Sequence, residues 1–196
     1  MLEFALAVTL MLSTPGPGVL STAGVGAAFG ARAGVAYVTG LFLGSNLVML
    51  AVISGLAALL LAVPAVRMVL LVASTGYLFY MAARIALAGS KVAFIQAQAQ
   101  PGIRAAVLLQ IINPKAYVVG MTFFSGFVIW SDAYWSEVVI KLIVLNAIWI
   151  PIHIAWLYAG VALERLNLPA RTQRAINIAM ALAMLGVVGL ALFSTQ

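Results

Sequence analysis

The chain has 196 residues, 65% of them apolar and only 7% charged, against roughly 25% charged and 45–50% apolar in a soluble domain. That is too little charge to cover a water-soluble surface, so lipid must be the solvent for most of the chain. With no cysteine and a single histidine, His153, disulfides, thiolate sites and multi-histidine metal centres are excluded, and no cofactor is expected. The net charge of +6 comes from scattered basic residues, which read as topology signals and not as a nucleic-acid surface.

Glu3 is the only charge before Arg32, so the N-terminus lacks the basic start of a cleaved signal peptide. A membrane-spanning helix needs about 20 mostly apolar residues. Six such spans are predicted, near 4–29, 35–61, 67–88, 105–130, 138–162 and 173–194. The first, third and fifth loops between them hold Arg32; Arg84, Lys91 and Arg104; and Arg165, Arg171 and Arg174. The second and fourth hold only Arg67 and Lys141. By the positive-inside rule the richer set is cytoplasmic, which places both termini in the periplasm.

Two spans carry helix breakers at their centres. The first contains Thr14-Pro15-Gly16-Pro17-Gly18 and the fourth contains Asn113-Pro114-Lys115. Each proline removes a backbone donor and crowds the preceding turn, and each glycine removes side-chain restraint. At about 1.5 Å per residue, a break roughly 10 residues into its helix lies about 15 Å deep, near the midplane of a hydrocarbon core about 30 Å thick.

The spacing repeats. Asn46 follows Pro15 by 31 residues in the second span, and Asn146 follows Pro114 by 32 in the fifth. Each half is thus a broken helix, a helix with a central Asn and a third helix. Three spans is an odd number, so the second half is inverted relative to the first. The expected architecture is all-α: one domain over 1–196, with inverted repeats at about 1–88 and 105–194 joined by a cytoplasmic loop at 89–104. Broken helices that meet at the midplane are how many secondary transporters build a binding site, because freed amides and carbonyls can hold a solute's charged ends. The alternative is that both breaks are packing kinks.

Among individual residues, Lys115 stands out. A charge in the membrane interior is costly and usually faces a cavity. Beside a helix break it could hold a carboxylate; otherwise it snorkels to the interface. Asn46 and Asn146 could orient a solute or cross-link helices. His153, two residues after Pro151, could relay a proton or be a neutral structural residue. Thr14, Thr22 and Ser45 are minor polar candidates, since most such hydroxyls bond their own helix. Gly26, Gly30 and Gly34, and then Gly40 and Gly44, recur every fourth residue. They make small-residue faces suited to packing the first two helices or to a homodimer contact. Trp130, Tyr134, Trp135, Trp156 and Tyr158 include interfacial anchors near helix ends, whereas Trp149 is central and suits a cavity wall.

Taken together, these motifs resemble the LysE/RhtB family of amino-acid exporters. The resemblance rests on Thr14-Pro15-Gly16-Pro17, Gly30-Ala31-Arg32-Ala33-Gly34, the Gly40–Gly44 pair, Gly76-Tyr77-Leu78 and Asn113-Pro114-Lys115-Ala116. It implies proton-driven export of amino acids or derivatives across a bacterial inner membrane, with Pro15, Pro17, Asn113, Pro114 and Lys115 as functional positions. Gly18 stands where many members have Asn, and Ser45-Asn46 stand where many carry an acidic residue. The second half looks closer to the branch that exports cysteine and O-acetylserine. No Asp or Glu falls mid-span, which disfavours cationic substrates.

The expected function is therefore export of a small neutral amino acid or derivative (threonine-, homoserine- or cysteine-like) by alternating access. The expected partners are that solute, the bilayer and, through the glycine faces, a second copy. A membrane enzyme would need paired acids and bases, a nucleophile triad or metal ligands, which the sequence lacks. A metal-ion substrate is disfavoured by the scarcity of carboxylates and thiols. The remaining alternatives are a non-transporting subunit of a larger complex and an exporter of a different small metabolite.

Overall fold

The computed structural model describes residues 1–57, 100–130, 132–166 and 168–193, with scattered positions between 62 and 83. Most of the expected third span, the basic residues Arg67, Arg84 and Lys91, and residues 89–99 of the expected central loop lie outside the described residues. Among the described residues every regular element is helical. These elements supply two helices long and apolar enough to cross a membrane, or three if one bent pair counts as a single span.

The helices are α1 (Leu2–Ser13), α2 (Pro17–Ile53), α3 (Ile103–Ile112), α4 (Pro114–Met121), α5 (Tyr134–Arg165) and α6 (Ala170–Phe193), with a π turn at Thr122–Gly126 after α4. Both expected breaks are present. Thr14 and Gly16 are extended, α1 ends before them, and Pro17 starts α2 in the first-turn position where a missing N–H costs nothing. Asn113 is likewise extended, Pro114 opens α4, and the span is bent by 61° there. By contrast, α5 runs on through Pro151.

The break expected between the first two spans, at 30–34, falls on its first residue. α2 contains a single non-helical residue, Gly30, with φ 77° and ψ 179°. A Cβ on Gly26 would stand 2.8 Å from Leu157 Cδ1, and one on Gly34 would stand 2.0 Å from the same atom. The two positions therefore lie within about 5 Å of each other, where eight residues of straight helix would separate them by about 12 Å. The chain doubles back at Gly30, giving a first limb (17–29) and a second limb (31–53). Arg32, the charge expected to mark this turn, is exposed just beyond it.

The second limb is the hub of the bundle. It runs antiparallel to α5: Gly34 meets Leu157, the Phe42 and Trp149 rings stand edge to face at 5.7 Å, and Asn46 bonds Asn146. It runs parallel to the broken span: Gly40 faces Ile103 and Ala106, Gly44 faces Val107 and Gln110, and Gly120 faces Met49 and Val52. Gly26, Gly34, Gly40 and Gly44, expected to pack the first two helices or to meet a second copy, thus face α5 and α3 of the same chain, while Gly30 forms the reversal. A Cβ at Gly40 would come 2.4 Å from the Ile103 carbonyl, and one at Gly160 would come 2.0 Å from that of Ala23. Only the missing side chains allow these backbones to approach so closely.

A correction concerns Lys141, expected to lie in the fourth loop. Glu137 and Lys141 both lie inside α5, and Lys141 is only 1% exposed. Its ammonium sits 2.5 Å from Glu137 Oε1, donates to the Phe127 carbonyl and lies over the Phe4 ring. Glu137 Oε2 accepts from the backbone N–H groups of Ile129 and Trp130. The pair fastens the segment after the π turn to α5. The edge-to-face contacts of Phe4 with Phe123 and Phe127 bring the start of α1 to the same end of the bundle.

Candidate functional site

The two helix breaks open into one half-open cavity, whose roughly 460 Å³ of space includes open solvent. Gly16 and Gly18 line it from the first break, and Asn113, Lys115 and Ala116 from the second. Ser45 and Met49 on the second limb, Gln110 on α3 and Trp149 and His153 on α5 complete its polar and aromatic wall. Among the described residues none of the lining is acidic.

Each break ends in a helix N-terminus. In α2 the N-cap is Gly16, which carries no capping side chain, and the first-turn amides of Gly18 and Val19 have no carbonyl one turn upstream within the helix. Such an end attracts negative charge. In α4 the N-cap is Asn113, whose Oδ1 accepts from the Lys115 N–H at 3.1 Å. Lys115 reaches back across the cavity, and its ammonium donates to the Thr14 carbonyl, tying the two breaks together. It packs tightly on Gly16, where a Cβ would fall 2.9 Å from Lys115 Cδ. Lys115 therefore faces the cavity.

The remaining polar wall is a chain of amides. Asn113 Nδ2 donates to Gln110 Oε1 at 2.7 Å, and Gln110 Nε2 donates to Ser45 Oγ. His153, 4% exposed, stacks on Trp149 with ring centroids 3.5 Å apart, and its Nδ1 meets the Trp149 carbonyl at 2.9 Å.

Of the residues singled out from sequence, Gly16, Gly18, Ser45, Asn113, Lys115, Trp149 and His153 meet at this cavity. Thr14 contributes its carbonyl, while its hydroxyl bonds Leu10 O. Pro15, Pro17 and Pro114 shape the two breaks. Asn46 and Asn146 are not in the lining; they bond each other reciprocally, at 3.1 and 2.9 Å. Thr22 bonds its own helix at Gly18 O. Sequence reasoning missed Gln110. Its only signal was an amide one helical turn before Asn113 in an otherwise apolar run.

A cavity between broken helices in a membrane-spanning bundle, with helix N-termini and one cation facing it, is the layout of a membrane transporter. The chain belongs to the LysE type translocator family, which matches residues 9–196. It is accordingly a multi-pass membrane transporter of the amino-acid and metabolite exporter class and not an enzyme. Searches among curated proteins and among solved structures returned no match.

Proposed function

We propose that the chain exports a small neutral amino acid or a related zwitterion across the inner membrane. The carrying observation is the convergence of two helix N-termini and Lys115 on a cavity without a carboxylate. In this reading the solute carboxylate takes the Lys115 ammonium from the Thr14 carbonyl and accepts from the Gly18 and Val19 amides. Pro15, Pro17 and Pro114 keep both breaks open, and Asn46–Asn146 braces the two halves. Export is proton-driven, and His153 is the cavity's candidate proton carrier.

The halves, about 1–88 and 105–194, act as inverted repeats that rock about the site to alternate access. The second limb running parallel to α3 and antiparallel to α5 supports that inversion. The glycine faces that suggested a homodimer are occupied within the chain, so the proposed working unit is a single chain. Both termini face the periplasm. The exposed Arg32 near the α5 C-terminal half and the clustering of Phe4 with the 123–137 region at the other end support this orientation.

The test loads cells expressing the chain with mixed dipeptides and follows each amino acid appearing outside. Release of one or a few neutral amino acids is expected to exceed that from empty-vector cells. Lys115→Ala, still inserted in the membrane, is expected to lose at least tenfold of that excess. Unchanged efflux in this variant would remove Lys115 from the path. No excess release from the wild type would point to another metabolite or to a subunit role.

A further inference from the structure

The hydrogen bonds around the cavity have a fixed sense. The Lys115 backbone N–H can only donate, so the atom of Asn113 it meets is Oδ1, and the other end of that amide, Nδ2, must donate to Gln110 Oε1. Gln110 is thereby oriented as well, with Nε2 given to Ser45 Oγ. Among the described residues Gln110 Oε1 accepts from Asn113 alone, which leaves one lone pair for a donor in the cavity. His153 is fixed by the same logic. The Trp149 carbonyl can only accept, so the ring hydrogen sits on Nδ1 and the neutral ring presents Nε2 as a bare acceptor.

These two acceptors converge on one space. A Cβ added to Gly18 would stand 3.5 Å from Gln110 Oε1 and 3.5 Å from His153 Nε2. Two uncharged acceptors around an empty volume suit a group that carries several N–H donors and a positive charge, which is a primary ammonium. Among the described residues Lys115, from α4, is the other ionisable group at the cavity; the lining from α1, α2 and α3 contains none, and α5 adds Leu145 and Trp149 beside the histidine.

We infer that the substrate's ammonium and the coupling proton compete for His153 Nε2 in the space above Gly18. The inference rests on the amino-acid transport reading. With the ring neutral, Nε2 accepts from the ammonium. A proton arriving at Nε2 takes the same lone pair and sets a cationic ring against the ammonium, which leaves. No covalent bond of the substrate changes, and one proton is bound for each zwitterion released. The two occupants exclude each other, so the exchange is one for one.

The full chain in proteoliposomes tests this with labelled L-threonine; L-homoserine, L-serine and L-cysteine are the further probes. Two readouts are needed: exchange of labelled for unlabelled probe, and accumulation driven by an acid-inside pH gradient. The wild type is expected to do both. In His153→Gln the side-chain oxygen still accepts from an ammonium but takes up no proton. Exchange is expected to fall about tenfold and gradient-driven accumulation to vanish.

Gly18→Ala adds a methyl group at ordinary contact distance from its neighbours. It is expected to keep wild-type folding while slowing exchange at least tenfold by filling the space. Gradient-driven accumulation in His153→Gln, or wild-type exchange in a folded Gly18→Ala, overturns the inference and leaves amino-acid transport standing. A wild type that exchanges none of the four probes overturns the transport reading, and the inference with it.

Discussion

Gly18 and Gly160 show how differently two buried glycines can constrain the same bundle. At Gly18 an added methyl meets side-chain atoms at 3.5 Å, whereas at Gly160 it would meet the Ala23 carbonyl at 2.0 Å, inside any tolerable contact. Gly160→Ala must therefore push α5 off the first limb of α2. A loss of about 1–3 kcal/mol is expected, as for other overpacked cores, seen as a lower thermal midpoint in detergent. Lys115 was legible from sequence because a charge beside a helix-breaking proline has few uses in lipid. Ser45 was not legible in this way: it looks like Thr22, which bonds its own helix, yet it accepts from Gln110 on another helix. Lys141 was misread for a related reason. Its burial depends on Phe4 and Phe127, which are distant in sequence, and a local reading sees only a charge near a helix end.

Among the elements, the two breaks were readable because proline and glycine act through local backbone sterics. The reversal was expected within 30–34, around Arg32, and it falls at Gly30. The backbone decides it: φ 77° with ψ 179° is a region open essentially to glycine alone. A Cβ at Gly30 would have no neighbour within 4 Å, so Gly30→Ala isolates the backbone cost. About 1–3 kcal/mol of stability is expected to be lost, measured by denaturation in mixed micelles, with the transport rate per folded molecule unchanged. The Asn46–Asn146 contact can be weighed directly. A double-mutant cycle with Leu at each position is expected to give a coupling energy of about 0.6 kcal/mol, typical of interhelical hydrogen bonds in membranes.

For the whole molecule, composition alone identified the solvent as lipid, and the spacing of apolar runs placed most described helix ends to within a few residues, although the second limb ends at Ile53 where the span was expected to run to 61. What composition could not supply was the packing partner of each face. The four-residue glycine spacing reads equally well as an internal or an external contact, and only the approach of Leu157 to both Gly26 and Gly34 decides for the internal one. Orientation in the membrane can be measured cleanly because the chain has no cysteine. Single cysteines at exposed Leu2 or Ala133 are expected to react with an impermeant maleimide in intact spheroplasts. Those at exposed Gly102 or Arg171 are expected to react only after permeabilisation. The reverse pattern would invert the assigned topology.

On the proposed inverted-repeat reading, the reciprocal amide pair has a consequence for ancestry. A carboxamide donates and accepts in equal measure, so it is among the few side chains able to satisfy an identical copy of itself. Each of Asn46 and Asn146 gives its Nδ2 to the other's Oδ1, the bond that one asparagine on a two-fold axis would make with its twin. A three-helix protein that paired with an oppositely oriented copy before gene fusion would have needed no second mutation to make this contact. Duplication then preserves it for as long as both codons are kept.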